Sequence, residues 1–210
     1  MRIREKNKEI RQQQIIDKAT ELFISKGLYD VQMQEIANLS EIGIATLFRY
    51  FPKKELLIVA VACQIMTRFE RAFFTIASSS QTAFEKVEQL LNYFLSFNDE
   101  ENKKIIRFRE VFESYAAYRA EPLENIDRYQ EVQRRMINHL LSIIEQGRID
   151  GSINLSLDIQ TALITYINCF GKFTAKLSLS EDLAELPEDI TNEKQQQIMM
   201  KLILQSLKPL

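Results

Sequence analysis

Apolar residues recur at helical spacing along almost the whole chain, and this periodicity is the feature that most constrains the fold. No alternating pattern of the kind that marks a half-buried strand is sustained. Only 5 Gly and 4 Pro occur in 210 residues, so the chain offers few positions at which a helix must end. The sequence therefore predicts an all-α protein, long enough for one large domain or two small ones that share a core.

Three compact helices and a connector are predicted at the N-terminal end. The first runs from about residue 8 until Gly27, since a glycine after the last periodic residue commonly ends a helix. Two short helices follow at residues 33–39 and 44–50. Pro52 is predicted as the first residue of a longer helix reaching about residue 74, because proline is favoured there.

Five further helices are predicted for the body, at about residues 82–97, 98–121, 123–146, 157–177 and 191–207. Asn98 is predicted as an N-cap, and acidic residues follow it, which favours a helix start. Gly147 is predicted to close the third of these helices, with a turn over 147–151. Ser156 is predicted to cap the next helix.

Charge is distributed unevenly between the two ends of the chain. Residues 1–54 contain ten Lys or Arg against seven Asp or Glu, whereas residues 55–210 contain 17 against 22. A basic head on an acidic body is typical of a protein that touches nucleic acid at one end. The chain is therefore predicted to divide into a helix-turn-helix head over 1–52 and a helical body over 53–210.

Cellular location and cofactors are constrained by what the sequence does not contain. The longest apolar run, residues 56–63, is too short to span a bilayer, and the charged N-terminus lacks a signal-peptide pattern. Cys63 and Cys169 stand alone, without metal or redox spacing. We therefore expect a cytoplasmic protein with no membrane partner, no metal and no cofactor.

A short helix, a tight turn and a second short helix form the arrangement that places side chains in the major groove of DNA. Leu47 and Phe51 are predicted to point inward. Lys53 and Lys54 lie at a helix start, where the macrodipole disfavours cations unless a phosphate is near; a solvated pair is the alternative. The predicted DNA-binding residues are Ile44, Ala45, Thr46, Phe48, Arg49, Tyr50, Lys53 and Lys54. The basic start of the chain, with Arg2, Arg4, Lys6, Lys8 and Arg11, either reaches the DNA backbone or minor groove or is a frayed, solvated tail.

The head closely resembles the TetR (tetracycline-repressor-like) family, with matching spacing over about residues 10–60. The residues that carry the resemblance are 15–23, Gly27, Ile36-Ala37 and 46–56. The resemblance implies three DNA-binding helices, a fourth that links them to a body of six or seven helices, and a homodimer. It also implies DNA contacts for Thr46, Arg49, Tyr50 and Lys54.

Four positions depart from the family pattern. Glu41 stands where the family commonly has the turn glycine, and Gly43 where it commonly has a capping serine. Gln32 replaces a frequent threonine at the start of the second helix, and Phe48 replaces a frequent tyrosine. The departures at Glu41 and Gly43 predict an altered turn.

Aromatic residues are concentrated in the body, where fifteen of the 20 lie between Phe69 and Phe173. An effector pocket needs apolar walls with a few polar groups, and the family resemblance makes such a pocket expected; for each aromatic residue a role in the core is the alternative. The candidate pocket residues are Phe69, Phe108, Phe112, Tyr115, Tyr118, Tyr129, Gln133, Met136, His139 and Tyr166.

The last two helices carry broad apolar stripes that are predicted to form a dimer interface. Two such helices from each subunit can pair about a two-fold axis as a four-helix bundle, although they can also close the core of the monomer. The predicted interface residues are Ile159, Ala162, Leu163, Tyr166, Phe170, Ile198, Met199, Leu202 and Ile203.

Three functions are compatible with a helical chain of this kind. We expect a regulator that binds a palindromic double-stranded operator and is released by a small-molecule effector, most simply a repressor. A DNA-binding scaffold or partner-regulated protein without such a ligand is the alternative. An enzyme is disfavoured, because one histidine and two isolated cysteines offer little for catalysis to use.

Overall fold

The computed structural model of the protein describes residues 3–154, 158–179, 187 and 189–209. Within these ranges the chain forms α-helices and one short 3-10 helix, with no strand, so the predicted all-α class is confirmed. The helices are α1 (Ile3–Lys26), α2 (Met33–Leu39), α3 (Ile44–Tyr50), α4 (Lys54–Ala77), α5 (Ala83–Leu95), α6 (Glu100–Ala117), α7 (Ile126–Asp150), α8 (Ile159–Leu179) and α9 (Asn192–Leu207).

Two compact units share these helices. Unit 1 comprises Met1–Thr67 with Lys104–Val132, and unit 2 comprises Arg68–Lys103 with Gln133–Leu210. Helices α4 and α7 each contribute residues to both units. The functional division predicted at residues 52 and 53 stays a prediction.

The core of unit 1 forms where the amphipathic faces of its helices meet. Ile15, Ala19 and Phe23 of α1 are buried, as is Leu47 of α3. The Phe23 ring packs against Phe108 of α6 with ring centroids 6.0 Å apart. The apolar residues whose periodicity predicted α1 therefore form the face of the helix that is buried in unit 1.

Aromatic side chains dominate the core of unit 2. Phe94 of α5 packs edge-on against Phe170 of α8, with centroids 6.2 Å apart, and both rings are buried. Gly171 permits this approach, because a Cβ there would lie only 3.1 Å from the Phe94 ring. Helix α9 packs on both α5 and α8.

Helix α1 begins five residues before its predicted start. Residues 3–8 are mostly Arg, Lys and Glu, which are good helix formers. The apolar periodicity does not extend over them, so the pattern placed the start too late. The basic N-terminal segment is consequently helical from Ile3, and its contact with DNA, one of the two alternatives for it, stays a prediction.

The predicted cap of α6 is wrong by one residue. Asn98 ends the 3-10 helix of Ser96–Asn98, and its amide donates to Gln196 Oε1 over 2.9 Å. Asp99 supplies the cap instead, since its Oδ1 accepts from the Asn102 backbone N–H at 2.9 Å. Helix α4 likewise begins at Lys54 and not at Pro52.

The predicted end of α7 at Gly147 is also wrong. The helix continues to Asp150, and Gly151, with φ of 67°, follows it. A Cβ on Gly147 would lie 2.9 Å from Ile153 Cδ1 and 3.2 Å from Ala83 Cβ. Glycine stands here because neighbouring side chains approach the helix closely, not because the helix stops.

The last turn of α7 caps another helix. Asp150 Oδ2 accepts a hydrogen bond from the backbone N–H of Ala83, the first residue of α5, at 2.9 Å. Buried Lys86, one turn further along α5, donates to the Ala77 carbonyl at the end of α4 over 2.8 Å. It also donates to Gln146 Oε1. These bonds satisfy backbone groups that helix ends leave without partners.

The remaining boundaries agree with the sequence to within a few residues. The predicted cap Ser156 lies outside the described residues, and Asp158, immediately before α8, accepts from the Thr161 backbone N–H at 3.4 Å. Thr191 caps α9, with its hydroxyl accepting from the Lys194 N–H. Helices α2 and α3 have their predicted bounds.

Candidate DNA interface and effector site

Helix α2 is held at its start by a carboxylate. The Glu35 side chain accepts from the Gln32 backbone N–H at 3.0 Å and forms an ion pair with Lys26 of α1. The hydrogen bond from Lys26 lowers the pKa of Glu35, and the Gln32 amide adds to this. The start of α2 is therefore stabilised by a hydrogen bond from the backbone N–H of Gln32, and this bond does not depend on the side chain at position 32.

The turn between α2 and α3 keeps a left-handed residue without a glycine. Glu41 has φ of 53°, a conformation that costs a residue with a side chain about 1–2 kcal/mol. The Ile42 N–H bonds the Ala37 carbonyl at 3.0 Å and closes the turn. Gly43 is the N-cap of α3, and no side-chain hydrogen bond caps that helix. Glu41 thus adopts a left-handed conformation that glycine would adopt without strain, and the predicted alteration of the turn stays a prediction.

Helix α3 buries one face and exposes the other. Leu47 and Phe51 are buried, as predicted. Ala45, Phe48 and Arg49 are exposed, while Ile44, Thr46 and Tyr50 are partly exposed. Phe48 has 43% of its surface accessible. The exposed face is the one predicted to enter the major groove.

The two candidate lysines at the start of α4 already have protein partners. Lys53 Nζ lies 3.2 Å from Glu124 Oε2. Lys54 Nζ donates to the Tyr29 carbonyl at 3.1 Å and lies 5.9 Å from the centre of the Phe23 ring. Partial burial lowers the pKa of Lys54. A phosphate at either lysine would have to compete with these contacts.

A second polar group at the start of α4 was not predicted from the sequence. Glu55 Oε1 accepts from Tyr115 Oη at 3.0 Å and from Arg119 Nη1 at 2.7 Å. Burial and Glu55 together raise the pKa of Tyr115. Glu55 is 60 or more positions from each of its two partners along the chain, so the contact could not be predicted from a local sequence pattern.

Five of the candidate pocket residues belong to unit 1. Phe108, Phe112 and Tyr129 are buried, and the rings of Phe112 and Tyr129 lie 5.0 Å apart. Tyr129 Oη donates to Glu113 Oε1 at 2.9 Å. Tyr115 is partly exposed and bonds Glu55, and Tyr118 is 92% exposed.

The other five belong to unit 2. Phe69 is buried against Phe97, with centroids 5.4 Å apart. His139 Nε2 lies 2.9 Å from Glu70 Oε1, and its ring lies 5.5 Å from that of Phe74, which is 55% exposed. Gln133, Met136 and Tyr166 are partly exposed. A role for any of the ten in ligand binding stays a prediction.

The predicted dimer residues fall into three groups by their exposure. Ile159, Leu163, Phe170 and Ile203 are buried within unit 2 itself, so they stabilise the protomer. Ile198 and Leu202 of α9 are 61% and 57% exposed although both are large and apolar. Ala162, Tyr166 and Met199 are partly exposed.

Membrane and metal binding find no support in the described residues. Over the ranges given above, none of the helices combines the length and apolar character needed to cross a membrane. The same part of the chain holds no group of three or more His, Cys, Asp or Glu arranged to bind a metal ion.

Comparison with known proteins gives a family match near the N-terminus and two curated relatives. The family model for bacterial regulatory proteins of the tetR family matches residues 15–61. The chain is 25% identical over 158 residues to the fatty acid metabolism regulator protein of Bacillus subtilis (strain 168), covering 75% of this chain and 78% of that one. It is 33% identical over 78 residues to the transcriptional repressor KstR of Mycobacterium tuberculosis, and this match covers 37% of this chain and 35% of KstR.

Solved structures share the fold at low sequence identity. The transcriptional regulator FadR from Bacillus subtilis, in complex with stearoyl-CoA, superposes with a TM-score of 0.65 at 18% identity, covering 92% of this chain and 98% of that one. SmeT, the repressor of a Stenotrophomonas maltophilia multidrug efflux pump, superposes with a TM-score of 0.66 at 10% sequence identity, and the match covers 94% of this chain and 90% of SmeT. The family match falls on the helices that build and present the exposed face of α3, so residues 15–61 are similar to the DNA-binding head of the tetR family of bacterial regulatory proteins, and the fold is one that solved transcriptional regulators share.

Proposed function

We propose that the protein is a homodimeric repressor that acts in the cytoplasm without catalysing a reaction, binds a palindromic operator through α3, and leaves it when an effector binds the body. The observation that best supports the DNA contact is that α3 has one buried and one exposed face. Leu47 lies on the buried face, while Ala45, Phe48 and Arg49 lie on the exposed one. Arginine at such a position reads guanine bidentately in the major groove, and Thr46 and Tyr50 flank it.

Selection from a random-sequence duplex library tests the operator. We expect an enriched palindrome with two half-sites about one turn of DNA apart. Arg49→Ala should change the bases preferred at one position of each half-site and not merely weaken binding. Arg107→Ala, an exposed arginine of α6, is the matched control and should select the wild-type palindrome. Absence of enrichment for the wild-type protein would contradict the proposal.

The effector class that we propose is a long-chain acyl-CoA. The support comes from the Bacillus subtilis relative, which is a fatty acid metabolism regulator, and from the solved FadR structure, which holds stearoyl-CoA. In unit 2 the rings of Phe69, Tyr93 and Phe97 pack together, and we propose that the acyl chain inserts beside this apolar cluster. Of the predicted pocket residues we assign Phe69, Met136, His139 and Tyr166 to this site.

Release requires the effector to bind the DNA-free state more tightly than the DNA-bound state, since equal affinity for both would change nothing. Helix α4 contributes residues to both units, so a shift of this helix is a route by which an effector can alter operator affinity. We propose that this shift separates the two heads of the dimer from adjacent half-sites.

Operator-bound protein titrated with stearoyl-CoA tests the effector, with fluorescence anisotropy of labelled operator as the readout. We expect stearoyl-CoA to lower operator affinity, whereas CoA alone and stearate alone should act only at much higher concentration. His139→Ala should raise the concentration needed and leave operator affinity unchanged without ligand. Stearoyl-CoA that binds the protein but leaves operator affinity unchanged would contradict release by this ligand.

A further inference from the structure

A groove of about 760 Å³ lies between the N-terminal half of α1 and the end of α3, within unit 1. Its lining is basic, with four cationic side chains and no carboxylate. The lining residues are Arg4, Asn7, Lys8, Ile10, Arg11, Gln14, Arg49 and Tyr50.

Three of the cations form a row along α1. Arg4, Lys8 and Arg11 are spaced by four and three residues, so they share one face of the helix. At 1.5 Å of rise per residue the row is about 10 Å long, which is comparable to about three base pairs of DNA at 3.4 Å each. Arg49 and Tyr50 of α3 meet the row from the other side.

These cations lack the partners that other basic residues of unit 1 have. Lys18, Lys26 and Lys53 form ion pairs with Glu21, Glu35 and Glu124, respectively. In the part of the chain that the structure describes, no ion pair involves Arg4, Lys8, Arg11 or Arg49.

Acidic side chains of α1 lie on the adjoining surface and not in the groove. Glu5 and Glu9 line that surface together with Lys8 and Gln12. Like charges held together repel one another, so a groove with several cations and no carboxylate in its lining is best stabilised by an anion. An elongated anion fits a row of this length.

We infer that this groove binds the sugar-phosphate backbone of DNA just outside the bases that α3 reads. The inference rests on the proposed operator binding of α3 and extends it. Arg49 and Tyr50 belong to both surfaces, so the backbone that leaves the α3 contact passes directly to Arg11, Lys8 and Arg4. The contact is independent of sequence, because phosphates carry no base information. It lengthens the bound site and strengthens binding.

Salt dependence of operator affinity measures this contact. The test variant is R4Q/K8Q/R11Q, and the matched control K18Q/K104Q/R107Q removes the same charge from residues outside the groove. The slope of log affinity against log salt should become shallower by about 0.9 for each phosphate that the protein no longer neutralises. For a dimer the slope of the test variant should therefore be shallower by up to about five, whereas the slope of the control should change much less. Equal slopes for the two variants would overturn the inference.

Operator length provides a second readout. One duplex ends at the outermost selected base pair, and another carries several further pairs on each side. Wild-type protein and the control variant should prefer the longer duplex, whereas R4Q/K8Q/R11Q should bind both alike and keep the same preferred bases. A wild-type protein that is indifferent to length would contradict the inference even if the operator is real.

Failure of the proposed operator is distinguishable from failure of the groove. If wild-type protein selects no palindrome, the proposed function is wrong, and random duplex then serves as the probe, with the same order of salt slopes expected if the groove binds a DNA backbone. A test variant that loses heparin binding but keeps its DNA salt slope would assign the groove to another polyanion and overturn the DNA assignment.

Discussion

Lys53 Nζ and Glu124 Oε2 lie 3.2 Å apart, which joins the residue before α4 to the loop between α6 and α7. Both side chains are more than half exposed. A DNA phosphate at Lys53 would have to compete with this carboxylate. The protein thus partly neutralises a cation that the sequence assigns to the DNA interface.

Removal of this carboxylate is expected to strengthen DNA binding. Glu124→Gln frees Lys53 and removes a negative charge near the phosphates. Exposed pairs contribute about 0.2–1 kcal/mol, so operator affinity should rise by a factor of about 1.4 to 5 per protomer at low salt. Anisotropy titrations at two salt concentrations measure the change. Glu121→Gln, in the same exposed loop, is the control, and an equal rise for it would point to general charge and not to Lys53.

Relief of the strained turn is expected to stabilise the protein. Glu41 adopts φ of 53°, and Glu41→Gly removes the steric cost, partly offset by the greater freedom of glycine in the unfolded chain. The free energy of unfolding should rise by about 0.5–1 kcal/mol, as measured by urea denaturation. Gly43→Ser should add a few tenths of a kcal/mol as an N-cap, since no atom lies within 4 Å of a Cβ built there. A lower stability for Glu41→Gly would mean that the glutamate side chain itself stabilises the turn.

Charges on the exposed face of α9 are expected to prevent dimerisation. Ile198 and Leu202 are four residues apart and largely exposed, so they present one apolar patch. I198E/L202E should sediment as a monomer and retain its helical circular dichroism. Ile149→Glu, at a residue 87% exposed on α7, is the control and should remain a dimer. A double variant that stays dimeric would place the interface elsewhere.

Cys63 is expected to react slowly with thiol reagents in the folded protein. Burial raises its pKa from 9.0 to about 11, and the thiolate is the reactive form. In a Cys169→Ser background, reaction at pH 8 should be at least about a hundredfold slower than in denaturant, and the rate should still rise above pH 9. The raised pKa also means that the unfolded thiol ionises first, so this group's contribution to stability is present below pH 9 and is lost as the pH rises toward 11. A folded-state rate that levels off near pH 9 would contradict the burial.

Local patterns predicted the head well because its helices are delimited by nearby residues. The ends of α2 and α3 and the inward face of Leu47 follow from periodicity over a few positions. Glu41 was identified as an anomaly for the same reason, since turn chemistry is local. The pairing of Lys53 with Glu124 was not predictable, because 71 residues separate them.

The body shows where sequence patterns fail. Aromatic residues that appear as one set along the chain divide between unit 1, with Phe112 and Tyr129, and unit 2, with Phe69. Gly147 was interpreted as a helix stop, yet its role is set by Ile153, which lies beyond the end of α7, and by Ala83, which is distant in sequence. Both errors arise because the deciding contacts are made between different elements, which periodicity within one helix does not report.

The bond from the Ala83 N–H to Asp150 fixes the register of α7. Each residue of an α-helix turns by about 100°, so one residue inserted between Gln133 and Gly147 would rotate the carboxylate of Asp150 away from α5 and leave the Ala83 N–H without its partner. The same insertion would turn Gly147 away from Ile153 and present a side chain in its place. Over this stretch the helix can tolerate changes of residue type far better than changes of length, so we expect its length to be the more strictly maintained property.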